Sequence, residues 1–196
     1  MRLTITFWKL PAVAAVAALA TVGLQAQTMT PPGPPVKSDH PAVKRGEYIV
    51  KSMGCWDCHT PQKMGPNGPE PDMSMWLAGH PAGAEVPSAA NVSGPWMGAF
   101  SATFTAWSGP WGVSYTRNLT PDPETGIGEW TEQQFIDTFR TGRRQGRGRE
   151  ILPPMPIPAL SNLSDDDLKA IFAYLRAVPP VKNRVPEPVM AGGPQK

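Results

Sequence analysis

The chain has 196 residues, of which 25 are proline and 19 glycine, nearly double the usual share of about 12% for the two together. That excludes a helical bundle or a large regular sheet, while 40% hydrophobic and only 17% charged residues exclude an extended disordered chain. A formal charge of +2 provides none of the basic excess that nucleic-acid binding needs, so no nucleic-acid partner is expected.

Residues 1–26 combine a basic start (Arg2, Lys9), an apolar run from Leu10 to Leu24 and small residues near a possible cut. This is the pattern of a secretory signal peptide. Cleavage after Ala26 is favoured, with the Ala18-Leu19-Ala20 triplet as the alternative. The apolar run falls short of the roughly 20 residues a spanning helix needs, so a membrane is expected as partner only if the segment stays uncleaved. Cleavage removes Arg2 and Lys9 from 18 basic residues and nothing from 16 acidic ones, leaving a formally neutral chain. Residues 27–40 form a Pro-rich linker, 41–183 a single domain with an insertion at 62–120, and 184–196 a flexible tail.

Pro41 to Met53 predicts a helix, capped by Ser38, Asp39 or His40, with Pro41 tolerated in the first turn. Val43, Gly46, Val50 and Met53 share one face. At Gly46 the missing side chain lets a second helix cross closely.

Next comes Cys55-Trp56-Asp57-Cys58-His59, the Cys-x-x-Cys-His pattern of c-type haem attachment. Two thiols three positions apart can each add to one vinyl group of the same porphyrin, and the adjacent imidazole can then ligate the iron. A thioredoxin-type pair would lie near a βαβ pattern, which is absent. A zinc site lacks a fourth ligand, since His40 and His80 show no ligand spacing. A local disulfide leaves His59 without a role. One such motif implies one haem c, covalently bound through Cys55 and Cys58, with His59 as an axial ligand.

The insertion at 62–120 concentrates Pro, Gly and Trp. Phe100 to Ala106 alternates apolar and polar residues, a half-buried strand pattern. Ser108-Gly109-Pro110 then reads as a turn, with Val113 and Tyr115 on a return strand, so a small hairpin near one haem edge is expected. Arg117 is a candidate contact for a haem propionate. Thr131 and Gln134 form a capping box, with Trp130 and Phe135 at the staple positions, and open a helix that Gly142 ends. The five arginines from Arg140 to Arg149 suit either propionates, an acidic partner or plain solvent.

The sixth iron position separates an electron carrier from a gas binder or catalyst. Among nine methionines, Met155 stands out because Pro153-Pro154-Met155-Pro156 is a stiff frame that can hold a thioether at one point. Met97, Met64 and His80 remain as alternatives. A last helix runs from Ser164 to about Val178, capped by Ser164, opened by Asp165 to Asp167 and stopped by Pro179-Pro180. Leu168, Ile171, Phe172, Leu175 and Val178 form its apolar stripe.

With these residues placed, the chain resembles the class I c-type cytochromes. RNLTPDPETGIGEWT (Arg117 to Thr131), LPPMP (Leu152 to Pro156) and LSDDDLKAIFAYLRAVPPVKN (Leu163 to Asn183) resemble the haem modules of cytochrome subunits attached to bacterial periplasmic dehydrogenases. The resemblance implies a mostly α fold, three main helices around one covalent haem, with the long insertion carrying a small β-hairpin. It also implies His59 and Met155 as axial ligands and a close crossing of the first and last helices near Gly46 and Tyr174. The function expected is that of a periplasmic one-electron carrier and not an enzyme, taking electrons from a dehydrogenase and passing them to a cytochrome or terminal oxidase. A fixed subunit of a dehydrogenase complex, or a haem enzyme or gas sensor with an open sixth position, are the alternatives.

Overall fold

The computed structural model describes residues 38–84, 86 and 94–192. The expected signal segment and most of the Pro-rich linker lie outside these residues. Helix predominates among them: α1 (Pro41–Ser52), α2 (Cys55–His59), α3 (Glu132–Thr141), α4 (Ile157–Leu160) and α5 (Asp165–Ala177), with two small antiparallel sheets.

The three long helices start and stop where their local chemistry dictates. The His40 ring accepts from the Ala42 N–H at the start of α1. Thr131 and Gln134 exchange both bonds of the capping box at α3, whose end is Gly142 in the left-handed conformation. The Ser164 hydroxyl accepts from the Asp167 N–H at α5, and three aspartates occupy its first turn.

Packing follows from the apolar stripes. Helices α1 and α5 make the largest helix–helix contact, and α3 lies against α5 through Phe135 and Phe172, whose rings are 5.2 Å apart. Val50 and Leu168 are fully buried and Leu175 nearly so; each such side chain contributes about 1.5–3 kcal/mol relative to exposure. Where α1 crosses α5, a Cβ on Gly46 would lie 1.9 Å from the Ala170 carbonyl oxygen. The crossing therefore requires glycine there.

Among the described residues, the insertion contributes five of the six strands of the two small sheets. A hairpin pairs β1 (Gln62–Gly65) with β2 (Gly68–Pro71). A second sheet has the order β3 (Ala99–Phe100), β4 (Ala106–Gly109), β5 (Gly112–Tyr115), β6 (Val189–Met190), all antiparallel. The β4–β5 hairpin pairs Ala106 with Tyr115 and Gly109 with Gly112.

Two expectations are corrected. The alternating stretch from Phe100 to Ala106 is not one strand. Ser101–Thr105 turns back on itself, with the Phe104 N–H donating to the Ser101 carbonyl and Phe104 at a φ of 58°. This lets Phe100, Phe104 and Trp107 pack ring against ring at 4.8–5.3 Å, an aromatic gain that outweighs continued pairing. The tail from 184 is also anchored as far as Met190, because β6 completes the sheet and the Ala191 N–H donates to the Trp111 carbonyl.

Candidate functional site

A cavity of about 940 Å³, including its open mouth, lies between α1, α2, α5 and the loop before α4. Cys55, Cys58, His59 and Met155 all border it, and Val50, Leu119, Phe139 and Leu175 are among its apolar walls. A second lobe shares His59, Leu119, Phe135, Phe139 and Met155 with the first, and Arg117, Arg144 and Arg149 also border it.

His59 is placed by the ends of the insertion. Its Nδ1 lies 2.8 Å from the Arg117 carbonyl oxygen, which can only accept, so Nδ1 carries the proton and Nε2 keeps the lone pair. That carbonyl is fixed because the flanking chain is tied down twice. The His80 N–H donates to the Thr116 carbonyl and the Leu119 N–H to that of Leu77, both at 2.9 Å. Burial pushes the His59 pKa down against the opposing effect of this hydrogen bond, which keeps the imidazole neutral and able to ligate a metal.

The two thiols are free and not joined to each other. Burial pushes both pKa values up, helped at Cys58 by the charge of Asp57, so both hold their protons at neutral pH. Trp56, between them, stacks on Trp76 with centroids 5.7 Å apart, which presses the short helix α2 onto the core.

Met155 follows a cis Pro153–Pro154 bond. The Pro153 carbonyl accepts from the Ser114 hydroxyl at 2.6 Å, and the Met155 carbonyl accepts from the Ile157 N–H at 2.9 Å. Strand β5 and helix α4 thus fix the loop on both sides. The alternatives to Met155 lie elsewhere. Met64 and Met97 are 79% and 74% exposed. His80 is fully buried, with its ring nitrogens 2.9 Å from the Thr105 hydroxyl and from the Ala84 carbonyl. Met53 also borders the first lobe, though it is half-exposed.

Arg117 reaches the second lobe, but its guanidinium is engaged, donating to the Pro186 carbonyl and pairing with Glu187 at 2.8 Å. Of the other arginines, Arg140 holds Asp165 and Arg143 the Gly148 carbonyl, so only Arg144 and Arg149 of that group border the cavity. Sequence reasoning missed Asn118 and Asn183. The Asn118 amide donates to the Val181 carbonyl. The Asn183 amide donates to the Ala78 and His80 carbonyls and accepts from the Ala82 N–H. Together they clamp the chain after α5 onto the segments that position His59.

The residues fit a covalently bound tetrapyrrole: apolar walls, two thiols, a neutral imidazole and a thioether, with cationic groups at one end. One observation points the same way. The Thr116 hydroxyl, bordering the first lobe, is buried without a hydrogen-bond partner, a cost usually met by a ligand or water.

Known proteins decide the kinship. The chain is 31% identical over 185 residues to the cytochrome c subunit of the quinone-dependent alcohol dehydrogenase of Gluconobacter oxydans, an alignment covering 92% of this chain and 29% of that subunit. The chain is related to the cytochrome c subunits of bacterial dehydrogenases. The fructose dehydrogenase cytochrome subunit of Gluconobacter japonicus is 30% identical over 157 residues, covering 80% of this chain and 25% of its own length. A diheme cytochrome c-type protein of Cereibacter sphaeroides is 29% identical over 147 residues, covering 72% and 37%. No family model matches the chain. The chain spans between about a quarter and two fifths of these three relatives, and the alcohol and fructose dehydrogenase proteins among them are cytochrome subunits, not catalytic ones.

Proposed function

We propose that this chain is a monohaem cytochrome c module that passes single electrons as a subunit of a periplasmic dehydrogenase complex. The observation that carries this is the meeting of Cys55, Cys58, His59 and Met155 around one apolar cavity, although Met155 lies 96 positions beyond His59 in the chain. Cys55 and Cys58 would form the thioether bonds, each S–H adding across one vinyl group. His59 Nε2 and the Met155 thioether would be the axial ligands of the iron. Helices α1, α3 and α5 would wrap the group, with 41–183 as the haem domain.

A haem so ligated supplies a one-electron iron couple whose potential an axial methionine raises. The chain does the rest. The Arg117 carbonyl holds the His59 ring in one tautomer, the stiff proline frame holds Met155, and the apolar walls keep out water that would otherwise favour the oxidised iron. Arg117 would face a propionate.

The relatives support the subunit reading over a freely diffusing carrier, since those that resemble the chain along most of its length include cytochrome subunits of alcohol, fructose and gluconate dehydrogenases. The donor would be the dehydrogenase subunit, and the acceptor a cytochrome or terminal oxidase. Export by residues 1–26 would place the protein in the periplasm. Among the described residues no helix is long and apolar enough to cross a membrane.

The test is spectroscopic. The protein isolated from periplasm should keep its haem after denaturation and show a low-spin ferric spectrum with the weak long-wavelength band of methionine ligation. Met155→Ala should turn it high-spin and lower its potential. A wild-type haem that is high-spin and binds carbon monoxide readily refutes the carrier role. A Met155→Ala protein with an unchanged spectrum refutes the ligand assignment. A dehydrogenase eluting with the cytochrome in constant ratio supports the subunit role, and a cytochrome eluting alone supports the free carrier.

A further inference from the structure

Among the described residues, the charged side chains that border the second lobe are Arg117, Arg144 and Arg149, and no carboxylate is among them. One acid reaches the group from outside the lobe. Glu187 lies 2.8 Å from the Arg117 guanidinium and 3.9 Å from that of Arg149. Its side chain is 72% exposed, but the backbone of the strap carrying it is pinned on both sides. Before it, the Asn183 amide and the bond from Arg117 to the Pro186 carbonyl hold the backbone. After it, Val189 pairs with Val113 in the sheet. Pro188 of the same strap borders the lobe.

Two of the three guanidiniums thus pair with the carboxylate, while that of Arg144 lies over the Trp130 ring at 5.7 Å; the three arginines and Glu187 together leave an excess of two positive charges. Burial pulls the pKa values of Arg144 and Arg149 down, with repulsion from Arg117 adding to it and Glu187 opposing it. A haem brings two carboxylates. With them the group would balance at three charges of each sign.

We infer that Glu187 is a positioning residue that sets the redox potential: the strap inserts it as a permanent counter-ion to the arginine group, leaving two positive charges for the two haem carboxylates. This rests on the haem reading above. Glu187 favours the oxidised iron by its negative charge and restrains the arginines, which favour the reduced iron.

The holoprotein and its Glu187→Gln, Glu187→Asp and Arg149→Gln forms are titrated optically against redox mediators at two salt concentrations. Glu187→Gln should raise the midpoint, and with it the ratio of reduced to oxidised protein at a fixed potential. Arg149→Gln should shift it the opposite way, and Glu187→Asp should stay near wild type. Both shifts should shrink at high salt. A strap that merely covers the cavity makes the opposite prediction for Glu187→Gln, because loosening it admits water and lowers the potential. A lowered or unchanged midpoint in Glu187→Gln overturns the inference, as does a shift of one sign in Glu187→Gln and Arg149→Gln alike. Should Glu187→Gln not accumulate, Arg149→Gln carries the test, and its unchanged or raised midpoint overturns the inference. A wild-type protein without covalent haem overturns the function proposed above, and this inference with it.

Discussion

Replacing Gly46 with alanine puts one methyl group into the crossing of α1 and α5. That methyl would meet the Ala170 carbonyl oxygen at 1.9 Å, its carbon at 2.5 Å and Tyr174 Cβ at 2.9 Å. Restoring an ordinary 3.4 Å contact requires the helices to separate by about 1.5 Å. A gap of only about 0.5–1 Å already forfeits a quarter to a half of a contact's attraction, and this one would open along Val43, Val50, Leu168 and Ile171. Overpacking costs about 1–3 kcal/mol, while alanine regains about 1 kcal/mol over glycine in helix propensity. The obstacle is backbone and cannot rotate away, so the cost lies at the upper end of that range and the clash wins, with a net loss of about 2 kcal/mol. For a domain of this size that lowers the thermal midpoint by roughly 4–8 °C. Circular dichroism of the holoprotein during heating measures it, with exposed Lys44→Ala as the control. A Gly46→Ala midpoint equal to or above wild type refutes the close crossing.

Two further outcomes follow from buried polar groups. Asn183→Ala strands the Ala78 and His80 carbonyls and the Ala82 N–H, at about 1–3 kcal/mol each; urea unfolding should show a loss of at least about 3 kcal/mol. Asn183→Asp should not restore it, because a carboxylate cannot donate to two carbonyls, and full recovery by Asp contradicts the clamp. Asp122 accepts from the Thr125 hydroxyl at 2.6 Å and its N–H at 2.7 Å, and these bonds, the hydroxyl's foremost, hold its carboxyl below the usual 3.8. A folded-state pKa below the unfolded one stabilises the protein above the unfolded value and loses that stabilisation as pH falls through the folded value. Asp122→Ala should therefore cost about 1–3 kcal/mol at pH 7 and progressively less below pH 4. A cost independent of pH between 7 and 3 contradicts the assignment.

Much of the helical frame was legible because its signals are local. Thr131 with Gln134, Ser164 with its aspartates, and Pro179-Pro180 act within one turn of their own positions, and α3 and α5 begin and end beside them. The β1–β2 hairpin and α4 were not legible, because proline and glycine mask periodicity in segments of four residues. The stretch from Phe100 misled for a related reason. Alternation implies a strand only if the backbone stays extended, and ring packing among Phe100, Phe104 and Trp107 favoured a turn.

The site divides along the same line. By itself the sequence determined the chemistry offered by Cys55, Cys58 and His59, since five consecutive residues suffice to place two thiols and an imidazole on one turn. It also singled out Gly46, because a glycine on an apolar helix face has few other uses. Tertiary structure alone decided which methionines border the cavity, that His80 is spent on Thr105 and Ala84, and which arginines gather around Glu187. Apart from the His80–Ala84 bond, the polar contacts among them join residues 25 to 70 positions apart. A side chain's type limits what it can bond, and only the packed chain settles which partner is within reach.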